Sequence, residues 1–212
     1  LRLTSMKCSI ANCFPIPIYS ANRNIDFISE EKTIIEELLK EKTKNRNNSF
    51  SENTYVLLHS SLQDIRIFCE DHINNYVKSV MQPLTPENDI YITQSWININ
   101  KPGESHHLHN HPNSIISGVF YVSTLEVDCI CFKNPNTNIR NNITYKLEHQ
   151  NVYNQDYQVQ YVKDNDLVLF PSWLEHMVIE NNTVDSNRIS ISFNTYAATL
   201  GDRRTLSSTI RG

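Results

Sequence analysis

The hydrophobic and polar positions change period part-way along the chain. In the first third the apolar residues recur at helical spacing. Ile34, Ile35, Leu38 and Leu39 sit among charges near Glu31–Lys44, and Leu62, Ile65, Cys69, Ile73, Tyr76, Val77 and Val80 follow the i, i+3, i+4 rule. The spacing predicts a helix in each stretch, the second capped by Ser61 with Asp64 three residues on and closed by Pro83. After Pro86 the period falls to two. Over Tyr91–Ile99, the side chains of Tyr91, Thr93, Ser95, Ile97 and Ile99 share one face and those of Ile92, Gln94, Trp96 and Asn98 the other. Further strands are expected at Ile115–Val122, Cys129–Phe132, Ile143–Leu147, Tyr157–Val162, Leu167–Phe170, Met177–Glu180 and Ile189–Phe193, separated by Asn-, Asp- and Pro-rich turns. Many short strands with turn-rich spacing predict a sandwich or barrel. Thr43–Asn53, polar and Asn-rich, reads as a loop.

This pattern divides the 212 residues into a helical N-terminal cover (1–86), a β body (87–195) and a C-terminal tail (196–212), within the length of one domain. Composition then narrows the partners. A net charge of −4 argues against a nucleic-acid or anionic-membrane surface as the main function. No apolar run approaches the ~20 residues of a membrane helix. The N-terminus lacks a long apolar core with a small-residue cleavage site, and Met6 offers a natural start. Five cysteines, an odd set without paired CxxC spacing, read as reduced thiols and place the protein in the cytoplasm.

The chemistry-bearing feature is HHLHNHP, in which His106, His107, His109 and His111 are four of the eight histidines. It reads as a metal site, a solvated polyhistidine loop or an accident of a polar chain. On an extended segment residues two apart share a side, so either His107 with His109 or His109 with His111 can bring two imidazoles together. A metal site needs a third ligand from elsewhere. His176, after a strand and an aromatic turn in DLVLFPSWLEHMV, is the stronger candidate, and His149, in polar KLEHQN, is the other. Downstream, RISIS places Arg188 and Ser190 on one face of a strand.

Three stretches, SWININKPGESHHLHNHPNSIISGVFYV, DLVLFPSWLEHMV and RISISFN, resemble in their order the Fe(II)/2-oxoglutarate-dependent oxygenases, and most closely a family common in phage and marine bacterial genomes. The resemblance spans about half the chain. It implies a double-stranded β-helix, that is, a jelly-roll, cupin-like barrel. It also implies a ligand pattern of His-x-Asp/Glu and a distant His that leaves three positions open, with an Arg-x-Ser strand gripping the far carboxylate of 2-oxoglutarate. Pro102-Gly103 precedes His109 with five residues between Gly and His, as in the prolyl-hydroxylase branch. That spacing selects His109 and His111. The resemblance therefore implies Fe(II) on His109, His111 and His176 and 2-oxoglutarate on Arg188 and Ser190. Asn98, which shares a strand face with Gln94 and Trp96, is a candidate to line the co-substrate pocket, and Tyr121 either reaches the co-substrate or simply packs. Hydroxylation with release of succinate and CO2 is the reaction implied.

The substrate is open: a small molecule or a protein side chain, with a nucleic acid disfavoured by the charge. Zn or Ni would also suit the imidazoles in purified protein. The chain departs from the pattern at His111, where the family carries Asp or Glu. That departure leaves room for a three-His cupin dioxygenase that does not use 2-oxoglutarate, and for a non-catalytic metal-binding module. His106 and His107 read as exposed or as lying outside the ligand set.

Overall fold

The computed structural model describes residues 9–82, 89–136, 146–200 and 208–209. The two helices form where the 3.6 period placed them: α1 over Ser29–Leu38 and α2 over Gln63–Tyr76, continued by one wider turn to Met81. Glu31, in the first turn of α1, accepts from the Ile28 N–H at 3.1 Å and so satisfies one of the open amides there. Ser61 does not cap α2. Leu62 occupies the cap position without a side-chain bond, and the Ser61 N–H instead donates to His59 Nδ1.

The N-terminal third is not all helical. It supplies β1 (Tyr19–Asn22), β2 (Lys42–Asn45) and β3 (Asn48–Ser51), so Thr43–Asn53 is a hairpin rather than a loop. Its two-residue turn takes Arg46 to φ +46°. The hairpin carries almost no apolar alternation, because β2 is an edge strand open to solvent, and a strand held mainly by ladder bonds leaves no period-2 hydrophobic trace.

The body continues with β4 (Ile90–Asn100), β5 (His106–His109), β6 (Ile116–Ser123), β7 (Asp128–Lys133), β8 (Tyr157–Val162), β9 (Asp166–Pro171), β10 (His176–Val178) and β11 (Arg188–Ala197). They form a seven-stranded sheet, in the order β1-β9-β6-β11-β4-β3-β2, and a four-stranded sheet, β5-β10-β7-β8. The ladders are antiparallel throughout. Two facing antiparallel sheets of this kind make a jelly roll. The expected strand over Ile143–Leu147 falls mostly outside the described residues, and 147–149 form a single 3-10 turn. The chain after 195 is not simply a tail, since β11 runs on to Ala197 and β12 (Thr199–Leu200) pairs with β13 (Ser208–Thr209).

The larger sheet is covered on both faces. One face, with Ile97, Ile99, Phe120, Leu167, Leu169, Ile191 and Phe193, packs under the helices through Leu62, Ile65, Cys69 and Ile73. The other, with Val119, Tyr121, Val168 and Phe170, meets Ile130, Phe132 and Val162 of the smaller sheet. Gly118 is required by this packing, because a Cβ there would lie 2.1 Å from the Phe193 ring.

Candidate metal centre

The histidines meet because of a register. β5 and β10 pair antiparallel with His109 directly opposite His176. His111 lies just past the end of β5, held in by its N–H bond to the Ser172 carbonyl at 2.9 Å. The candidate ligand atoms of His109, His111 and His176 all lie within 4.8 Å of one another. His149, the other candidate, is exposed in its turn and does not belong to this group.

Backbone carbonyls fix two of the three tautomers. His109 Nδ1 donates to the His107 carbonyl at 2.7 Å and His176 Nδ1 to the Leu174 carbonyl at 3.0 Å. Each ring thus presents a bare Nε2 lone pair to the centre, as metal-binding histidines do. His111 Nε2 stands 3.3 Å from His176 Nε2, between the ~3.0 Å and ~3.4 Å that octahedral and tetrahedral angles give two nitrogens about 2.1 Å from a shared ion. Burial, reinforced by neighbouring imidazoles, pushes His111 down to about 4 and holds His176 well below the usual imidazole range. Neutral rings are what a metal requires. The donor set therefore fits a borderline divalent cation such as iron.

The same cavity collects the remaining candidates. Asn98, Tyr121, Arg188 and Ser190 line it together with the three histidines. Asn98 and Ser190 are opposite each other across the β4–β11 ladder, and Tyr121 faces Ser190 from β6. Asn98 Nδ2 donates to Ser192 Oγ at 2.8 Å. Arg188 is buried, with its guanidinium 5.1 Å above the Tyr121 ring. Three buried polar atoms here have no hydrogen-bond partner among the described residues: Asn98 Oδ1, the Tyr121 hydroxyl and Arg188 Nη2. Orphans of this kind mark a place for water or a polar ligand.

Sequence reasoning missed one residue and left another undecided. Asp128, the first residue of β7, accepts from Arg188 Nε through both carboxylate oxygens at 2.9 Å, and both side chains are 3% exposed. No sequence pattern could signal it, since the partners are 60 residues apart and each looks like an ordinary strand-end charge. His106 was expected either exposed or packed beside the ligands, and the second alternative holds: it is half-buried, lining the cavity. Its ring stacks on His109 with centroids 4.3 Å apart, and burial pushes it down to about 3. On the other side of the group, Phe170 meets His176 edge-on at 4.6 Å and Trp96 approaches His111 at 5.8 Å.

The family described as putative 2OG-Fe(II) oxygenase matches residues 94–194, the stretch that carries every residue lining the cavity. The match falls within the β body and covers a little under half of the chain. The match supports an oxidoreductase, and the three-His group lies inside the matched stretch. No curated protein matches the chain in sequence. Among solved structures, the chain is similar to a 2OG-Fe(II) oxygenase-family oxidoreductase from Burkholderia pseudomallei (10% identity, 84% of each chain covered, TM-score 0.56). It is also similar to HygX from Streptomyces hygroscopicus, determined with nickel, 2-oxoglutarate and hygromycin B (10% identity, 85% and 83% covered, TM-score 0.55). A third is a Pseudomonas putida prolyl-4-hydroxylase (10% identity, 85% and 92% covered, TM-score 0.51). At these identities the likeness is one of fold. No helix among the described residues is long and apolar enough to cross a membrane.

Proposed function

We propose that this protein hydroxylates its substrate while converting 2-oxoglutarate and O2 to succinate and CO2, with His109, His111 and His176 as the iron ligands. Bound iron and 2-oxoglutarate supply the oxidising chemistry, and the chain supplies binding, orientation and a dry cavity. Arg188 Nη2 and the Tyr121 hydroxyl would donate to the far carboxylate of the co-substrate, as would the Ser190 hydroxyl. Asn98 would fix the wall beside it through Ser192. The supporting observation is the convergence of three imidazoles, two of them with Nε2 left bare, and an arginine with an unpartnered buried nitrogen on one cavity. That cavity has a free volume of about 20 Å³, about enough for a single water. Seating a five-carbon dicarboxylate therefore requires the half-buried rings of Trp96, His106 or His111 to move apart. The substrate class stays at a small molecule or protein side chain. Free thiols at Cys13, Cys69, Cys129 and Cys131 suit the cytoplasm.

One observation favours a second reading. All three ligands are imidazoles, and Arg188 already has a carboxylate partner in Asp128. A three-His dioxygenase would consume O2 in an iron-dependent way without forming succinate. Titrating 2-oxoglutarate into anaerobic Fe(II) protein separates the two readings. A visible metal-to-ligand charge-transfer band that weakens in Arg188→Ala is the expected result. Bound iron with no band would transfer the case to the second reading, and no bound iron would end both.

A further inference from the structure

None of the side chains lining the cavity is acidic. A divalent ion held by three neutral imidazoles brings two positive charges to this buried volume, and Arg188 brings a third. Buried charge that is not matched is costly, and the cost grows with the excess. Among the described residues, the carboxylate paired with Arg188 is that of Asp128. Asp128, 3% exposed, closes both oxygens on Arg188 Nε at 2.9 Å from outside the cavity wall. Because it takes only Nε, Arg188 Nη2 remains unpartnered.

We propose that Asp128 is the charge-balancing residue of the site: acting through Arg188, it lowers the fixed charge to that of a divalent ion, which matches a dicarboxylate co-substrate. The carboxylate missing from the ligand set is thus present one strand away, on β7. This rests on the 2-oxoglutarate reading above and adds to it a residue and a charge rule. Asp128 also orients the guanidinium, but the two roles differ in sign. Loss of orientation weakens every ligand. Loss of the negative charge weakens a cation and strengthens an anion.

The test is calorimetry on wild type, Asp128→Asn and Asp128→Glu, titrating Fe(II) into metal-free protein and 2-oxoglutarate into the anaerobic Fe(II) form. Asp128→Asn keeps one acceptor oxygen for Arg188 Nε while removing the charge and the second acceptor. It is expected to weaken Fe(II) and tighten 2-oxoglutarate, each by roughly tenfold for one charge across a partly screened interior. Asp128→Glu keeps the charge and stays near wild type for both. If Asp128→Asn weakens both ligands, or changes neither, the proposal is overturned and Asp128 is a structural partner only. Should that variant not fold, His111→Asp poses the question with reversed signs, expecting tighter Fe(II) and weaker 2-oxoglutarate. Unchanged or tighter 2-oxoglutarate there would overturn it. Wild type that takes Fe(II) but not 2-oxoglutarate would defeat the underlying reading, an outcome visible before any variant is compared.

Discussion

The two faces of the seven-stranded sheet are built from the same strands and solve opposite problems. On the helix side, β4 and β11 present Ile97, Ile99, Ile191 and Phe193, closed over by α1 and α2, with Ile97, Ile191 and Phe193 wholly excluded from solvent. One residue along each strand, the other side presents Trp96 and Asn98 from β4, and Arg188, Ser190 and Ser192 from β11. There, polar atoms are buried with no partner in the described protein. The first face gains from excluding water at about 25 cal/mol per Å² of apolar surface. The second gives up part of that gain to keep groups unsatisfied until a ligand arrives. Period-2 geometry lets one strand do both, because a residue and its neighbour face different surroundings.

The comparison predicts that substitutions on the two faces separate stability from binding. The largest effect belongs to the helix side. Phe193→Ala empties the space over Gly118 and should lower unfolding free energy by about 3–5 kcal/mol in urea denaturation. Metal comes next. Fe(II) at a hundred times its dissociation constant should raise stability by about 2.7 kcal/mol, read as a shift in Tm. His176→Leu, similar in bulk and apolar, should abolish that shift while leaving the metal-free protein within about 1 kcal/mol of wild type. A metal-free His176→Leu as damaged as Phe193→Ala would mean that the site face carries stability as well.

Much of this division was legible in the sequence. The alternation of Tyr91–Ile99 separated Ile97 and Ile99 from Trp96 and Asn98 correctly, because an apolar face under the helices and a more polar face on the cavity leave a clear period. His109, His111 and His176 were found by spacing and by resemblance, and the β5–β10 register shows why such distant residues meet. The β2–β3 hairpin was hidden because an edge strand needs no apolar face. Asp128 was hidden for another reason. A buried ion pair between residues 60 apart has no local signature, and its meaning appears only when Arg188 is seen to lack a partner at Nη2. His106 was left undecided between solvent and the ligands' side because strand alternation, which would send it away from His109, fails where β5 and β10 slip register between His176 and Val178.

The smallest predicted effect is also the most discriminating. The Tyr121 hydroxyl is buried and makes no hydrogen bond among the described residues, and burial raises the pKa of its phenol, so it stays protonated as a donor. In the empty protein this hydroxyl only costs desolvation energy, so Tyr121→Phe should raise unfolding free energy by up to about 1 kcal/mol. In the loaded protein the same hydroxyl would donate to a carboxylate, and its removal should weaken 2-oxoglutarate about tenfold. The two changes oppose each other, as expected of a group held in reserve for a ligand. Urea denaturation of the metal-free variant, set beside its 2-oxoglutarate titration, measures both. A variant that loses stability would show that the hydroxyl is already satisfied in the empty cavity, and the contrast between the two faces would then stop short of Tyr121.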